Sequence, residues 1–203
     1  MDDLRALSLT PPWPWAILHC GKRIENREAW LVPAYTACCE HRGMIALHAS
    51  RLPTGVDSYW KRAQKTPSCT PRESQAFAID DFETTVDGIM SAARAAGISL
   101  SRPTLQRLCE QTGHIVGVAS IIGMVTSDPS YRSEKRWRAH INADPAGRNG
   151  VRELTEDERR WWFGGFALVL DEVRDLKRPV PCKGALGLWP VPKDVLAQVR
   201  AQL

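Results

Sequence analysis

Long apolar runs, paired cysteines and a dominant charge of one sign are all missing from this sequence. No apolar stretch approaches the ~20 residues of a membrane-spanning helix, so no membrane partner is expected. The first residues, Met1-Asp2-Asp3-Leu4-Arg5, are acidic and open no apolar run of signal-peptide kind, so a cytoplasmic protein is expected. Six cysteines (Cys20, Cys38, Cys39, Cys69, Cys109, Cys182) include no Cys-x-x-Cys spacing. In a cytoplasmic protein they read as reduced thiols, not as a disulfide framework. Cys38, Cys39 and His41 lie close together, but adjacent cysteines chelate one ion poorly and no second ligand pair follows at zinc-site spacing. No metal and no cofactor is therefore expected. No Ser-His-Asp order is readable for an acyl-transfer triad, and no internal repeat is visible. The formal net charge of +4 is mild; it permits an anionic partner without demanding one.

What is present is an ordinary globular composition, 43% hydrophobic and 25% charged over 203 residues, enough for one sizeable core and short for two. One stretch organises the rest: Pro12-Trp13-Pro14-Trp15-Ala16-Ile17-Leu18-His19-Cys20-Gly21-Lys22-Arg23-Ile24-Glu25-Asn26-Arg27. It reads as a short helix, a glycine stop and a strand. Thr10 suits the N-cap, Pro11 the first helical position, and Gly21 the left-handed position after the last turn. Trp13, Ala16, Ile17 and Cys20 fall at helical spacing and share an expected buried face. Trp15 lies about 200° round from Trp13 at ~100° per residue. It is the tryptophan left over beside a cluster of charge.

Further along, strands are expected at 7–9, 23–30, 43–50, 114–125, 166–173 and 185–189, with a helical tail over 193–203. Gly117 and Gly123 read as bulges or points of close approach. A helical insertion is expected over about 51–112, with helices at 81–96 and 102–111. A basic loop over about 127–160 interleaves Arg132, Lys135, Arg136, Arg138, Arg148 and Arg152 with Tyr131 and Trp137, the composition of a nucleic-acid strip. Thr155-Glu156-Asp157-Glu158 has the form of a capped helix start. Strands without regular intervening helices exclude a doubly wound parallel sheet. The expected class is α+β, a single domain built as a small, partly open mixed β-barrel with peripheral helices.

Five ordered segments resemble the ASCH domain family of the PUA-like superfamily. They are Pro12-Trp13-Pro14-Trp15-Ala16-Ile17-Leu18 followed by Gly21-Lys22-x-Ile24-Glu25-Asn26-Arg27, then Ile45-Ala46-Leu47-His48-Ala49-Ser50, then Gly113-His114-Ile115-Val116-Gly117-Val118-Ala119, then Trp162-Phe163-Gly164-Gly165-Phe166-Ala167-Leu168-Val169-Leu170, and last Pro181-Cys182-Lys183-Gly184-Ala185-Leu186-Gly187. Together they cover about half the chain. The resemblance implies a β-barrel-like fold whose cleft is lined by Gly-Lys-x-x-Glu-x-Arg, and an association with RNA or modified nucleobases. Some small members deacetylate N4-acetylcytidine and others are ribonucleases. In the amidohydrolase type the motif reads Lys-x-x-Thr with a glutamate on a later strand. Here Glu25 stands at the threonine position, which favours binding, and Glu172 is the candidate later glutamate.

The residues themselves support a cleft. Lys22 held near apolar surface and a second cation can act as base or nucleophile, Glu25 can accept a proton or hold Lys22, and Arg27 offers a planar fork to phosphate or carboxylate. Stacking a base on an aromatic ring contributes ~1–3 kcal/mol. Burying a tryptophan contributes roughly 4–6 kcal/mol at ~25 cal/mol/Å², so most of the eight tryptophans belong in the core, with Trp15 and Trp162 as the expected stacking rings. Ser50 closes a strand beside His48, and Lys183 precedes a glycine that allows close approach of a ligand. The expected function is an RNA- or nucleotide-binding module recognising a nucleobase, modified or not, through Trp15, Lys22, Arg27, Ser50, Trp162 and Lys183. The alternative is a hydrolase of a modified nucleoside or RNA phosphodiester with Lys22 and Glu25 as the catalytic pair. The third reading is a protein-interaction module.

Overall fold

A computed structural model describes residues 3–27, 41–51, 82–99, 101, 111–126, 150–151, 154–162 and 166–203. The elements run β1 (Arg5–Leu9), α1 (Trp13–His19), β2 (Ile24–Arg27), β3 (Gly43–Ala49), α2 (Phe82–Ala95), β4 (His114–Thr126), β5 (Gly150–Val151), α3 (Glu156–Arg160), β6 (Phe166–Pro181), β7 (Leu188–Pro190) and α4 (Lys193–Arg200). The strands form one mixed sheet in the order β2-β6-β4-β3-β1-β7, with β5 beside β4. β1 pairs with β3 in parallel and β4 with β5 in parallel, while the other pairs are antiparallel. The sheet curls into half a barrel, a small α+β fold.

The near-continuous apolar run of β3 is explained by burial on both faces of the sheet. Ile45 and Leu47 join Leu7 and Leu9 of β1, Val116, Ala119 and Ile121 of β4 and Trp15, Ala16 and Ile17 of α1 in one cluster. Ala46 points the other way, with Ala6, Ile115, Val118 and Val180, under Val195, Leu196 and Val199 of α4. Ile89 and Ala93 of α2 pack into the first cluster, so the described helix of the expected 51–112 insertion sits on the same core. Residues 102–110 of the second expected helix and 127–149 of the expected 127–160 basic loop lie outside the described residues.

Several expectations need correction. α1 is N-capped by Pro12 with no side-chain cap, so Thr10 is not the N-cap; its carbonyl instead accepts from the Trp13 amide at 3.0 Å. Ala16 and Ile17 of α1 and its C-cap Cys20 are buried as expected, but the two tryptophans exchange roles. Trp15 is buried with Pro14, Ala16 and Ile17, its ring stacked on His19 at 6.0 Å, and Trp13 is only partly buried against the core. A helix this short is placed by its docking partners, and Gly117 provides the seat. A Cβ on Gly117 would lie 2.5 Å from Leu18 Cδ2 and 2.7 Å from the Arg174 carbonyl oxygen. β6 runs on to Pro181 where a strand ending at Val173 was expected. From Ala167 to Pro181 it pairs with β4 across three register shifts, two of them at Gly117 and Gly123 as expected. The last strand starts at Leu188, not Ala185. Gly21 and Gly97 take the left-handed conformation, with φ of 73° and 75°, where the helix stops were expected.

Candidate functional site

The site grows out of the turn that Gly21 allows. Past that glycine the Lys22 amide reaches back to the Ala16 carbonyl at 3.1 Å. Arg23 holds the turn from outside, its guanidinium donating to the carbonyls of Ile17 at 2.9 Å and Lys22 at 3.2 Å. Lys22 is thereby folded inward and only 1% exposed. Its ammonium donates to the Ile24 carbonyl and, at 2.7 Å, to Glu25 Oε2, and lies 5.7 Å from the centroid of the Trp13 ring. Arg27, two residues beyond Glu25 on the same side of β2, brings Nη2 to 3.4 Å from Glu25 Oε1. Burial pulls the Lys22 ammonium below the ordinary lysine range; Glu25 opposes that pull and Arg27 adds to it.

The strand bearing this group is anchored on two sides. β2 pairs with β6, Glu25 opposite Leu168, and the Asn26 side chain donates to the Trp161 carbonyl at 2.7 Å. Trp161 follows α3, whose capping box is formed by Thr155 and Glu158 as its sequence pattern requires. Ile98, beyond α2, covers Gly21 at 3.4 Å from where a Cβ would stand. It also lines a cavity of about 300 Å³ with Met90, Arg94, Gly97 and Ser99.

Lys22, Glu25 and Arg27 are therefore brought together as expected, but the other chosen residues are not all with them. Trp15 is 1% exposed and Trp162 8%; both lie in the main core cluster, so neither presents an open ring face for stacking. Trp13 is the indole at the charged group. Sequence reasoning missed it because helical spacing alone put it inward, whereas the cation following Gly21 was the available signal. Asn26 and its tie to Trp161 were also missed. Ser50 follows the end of β3, its amide bonded to the Leu9 carbonyl at 2.9 Å. Lys183 is exposed in the loop joining β6 to β7. The hydrogen bonds and ion pairs set out for Lys22, Glu25 and Arg27 reach neither Ser50 nor Lys183.

His48 belongs to a second polar cluster. Its Nε2 donates to the Cys182 carbonyl at 3.0 Å, and Nδ1 stands 3.2 Å from Ser8 Oγ. Ser8 donates to the Ala185 carbonyl at 2.9 Å and accepts from Trp189 Nε1 at 3.1 Å. Burial lowers the His48 pKa, with the Cys182 hydrogen bond opposing and His114 assisting. Gly184 lies against this group, since a Cβ there would be 2.3 Å from His48 Cε1. The glycine expected to admit a ligand is occupied by the protein's own histidine. Glu172 is engaged elsewhere, accepting from Ser120 Oγ at 2.6 Å. Burial raises the Cys182 thiol pKa, Asp194 adding to it, and pushes Cys20 up to about 12, so neither is a ready thiolate. Among the described residues no group of three His, Cys, Asp or Glu side chains is placed to hold a metal, and no helix is long and apolar enough to cross a membrane. No protein-family model matches this chain, and no curated protein matches it in sequence.

Proposed function

We propose that the chain is a nucleotide- or RNA-binding module of ASCH-like, PUA-like type, in which Arg27 and Trp13 meet a nucleobase or its phosphate and the buried Lys22–Glu25 pair holds them in place. The observation that supports this most directly is the burial of the Lys22–Glu25–Arg27 group. Replacing a buried ion pair by apolar residues is often neutral or stabilising, so stability alone gives no reason to keep three charged side chains at one edge of a small sheet. Such groups concentrate at working sites. Arg27 has the fork that suits phosphate or carboxylate, and Trp13, half-buried beside Lys22, has the face that suits a base.

A second reading has one observation in its favour. Burial lowers the Lys22 pKa, and a lysine free to lose its proton can serve as nucleophile or base for an amide or phosphodiester hydrolase. The test is a panel of nucleosides, nucleotides and short RNAs, read by calorimetry for binding and by chromatography for product. Binding without turnover, weakened at least tenfold by Arg27→Gln, is expected. Turnover of N4-acetylcytidine that Lys22→Ala abolishes would replace the binding reading by the hydrolase. A panel with no ligand at all would leave the protein-interaction module.

A further inference from the structure

We infer that Trp13 and Glu25 together fix Lys22 as a permanent ammonium, so that Lys22 is a positioning residue for Glu25 and not an amine nucleophile or base. A lysine nitrogen has three directions left after its bond to Cε. In Lys22 one points to the Ile24 carbonyl and one to Glu25 Oε2. The third side faces the Trp13 ring at 5.7 Å from its centroid. Two of the three neighbours are acceptors that take hydrogens and offer none. A neutral amine would fill those two and turn its lone pair toward the indole face, whose quadrupole is negative. An ammonium puts an N–H there, and a cation within about 6 Å of a tryptophan centroid is attracted. The ring thus favours the charged form at the one place where a reactive lone pair would have to emerge.

The charged groups felt at Lys22 are Glu25 and Arg27, both on β2. α1 supplies Trp13, which has no charge, and β6 supplies Leu168 and Val169 opposite Glu25 and Ile24. Arg23 faces the other way, onto the carbonyls of Ile17 and Lys22. Burial and Arg27 work against the ammonium and Glu25 for it. Trp13 tips the balance toward charge, and the amine chemistry of the hydrolase reading is closed off while it is in place. This deepens the proposed function by making the site a fixed-charge receptor in which Lys22 holds the Glu25 carboxylate in register for a ligand.

The charge of Lys22 is measured without any ligand by following its 13Cε and 15Nζ resonances against pH in lysine-labelled protein. Wild-type Lys22 is expected to show ammonium shifts at pH 7. Trp13→Leu is expected to move its titration down by roughly one pH unit, while Trp13→Phe, which keeps a ring, moves it less. Lys22 found as a neutral amine at pH 7 in the wild type overturns the inference, and so does a titration that is identical in Trp13→Leu. Should Trp13→Leu fail to fold, the wild-type and Trp13→Phe curves still decide. Loss of every ligand in the nucleotide panel would remove the binding reading and leave this measurement standing.

Discussion

Two buried polar clusters sit toward opposite edges of the sheet, and they are built on different terms. Around His48 everything is neutral: a serine, an indole N–H, two carbonyls and an imidazole whose charged form burial disfavours. Its bonds tie β1, β3 and β7 to the loop at Cys182–Ala185, and its purpose is fulfilled within the protein. Around Lys22 the members are charged, and they join residues within one strand and its preceding turn, which a pair of apolar side chains would join as well. The first cluster is explained by the fold it holds. The second is not, and that contrast directs attention to β2 rather than to His48.

Lys22→Met breaks the charged cluster most severely, because Glu25 is left buried with a lost partner. A loss of ~3–5 kcal/mol in urea unfolding is expected, most of it recovered in Lys22→Met/Glu25→Leu. A single-variant loss below ~1 kcal/mol would place the group with ordinary surface pairs. Gly184→Ala attacks the neutral cluster by crowding. The new methyl would meet His48 Cε1 at 2.3 Å and Ser8 Oγ at 2.9 Å, and a loss of ~1–3 kcal/mol is expected. The proposed nucleotide binding is expected to survive that change, and its loss in Gly184→Ala alone would mean that the two clusters form a single site. The smallest effect is that of pH. His48 has a folded pKa below its unfolded value near 6.5, so the unfolded chain takes up the proton first. Its contribution is complete above about pH 6.5 and is lost as pH falls from there through the folded value. A melting temperature that declines between pH 7 and pH 5, and declines less in His48→Gln, is the expected result.

Much of this was legible in the chain because single residues carry strong local meaning. Gly21 and Gly97 stop helices, Thr155 and Glu158 cap one, and the near-continuous apolar run over 43–50 reads as a strand. Glu25 and Arg27, two apart on a strand, had to share a side. What escaped was set by partners distant in sequence. Trp13 and Trp15 are both consistent with helical spacing, and which ring turns inward is set by how α1 docks on the sheet, where Leu18 sits against Gly117. The second half of β6 is largely charged and exposed, with Leu176 and Val180 its buried residues, so its own residues give little strand signal; its pairing with β4 makes it a strand. Trp162 is expected from its sequence neighbours as an open ring, yet it lies in the core, next to Trp161, whose carbonyl accepts from Asn26 more than a hundred positions away.

That distance has a temporal meaning. β1 and β2 are close neighbours in the chain, yet the sheet places β2 at the far edge, where its partner among the described strands is the start of β6. Lys22, Glu25 and Arg27 leave the ribosome early, but the strand that pairs with theirs does not emerge until Phe166–Val169. During synthesis the N-terminal half can dock β1 on β3 while the charged strand waits. Completion of the Lys22–Glu25–Arg27 edge then reports that the C-terminal half has arrived and folded, and a chain cut short before β6 leaves β2 without that partner strand.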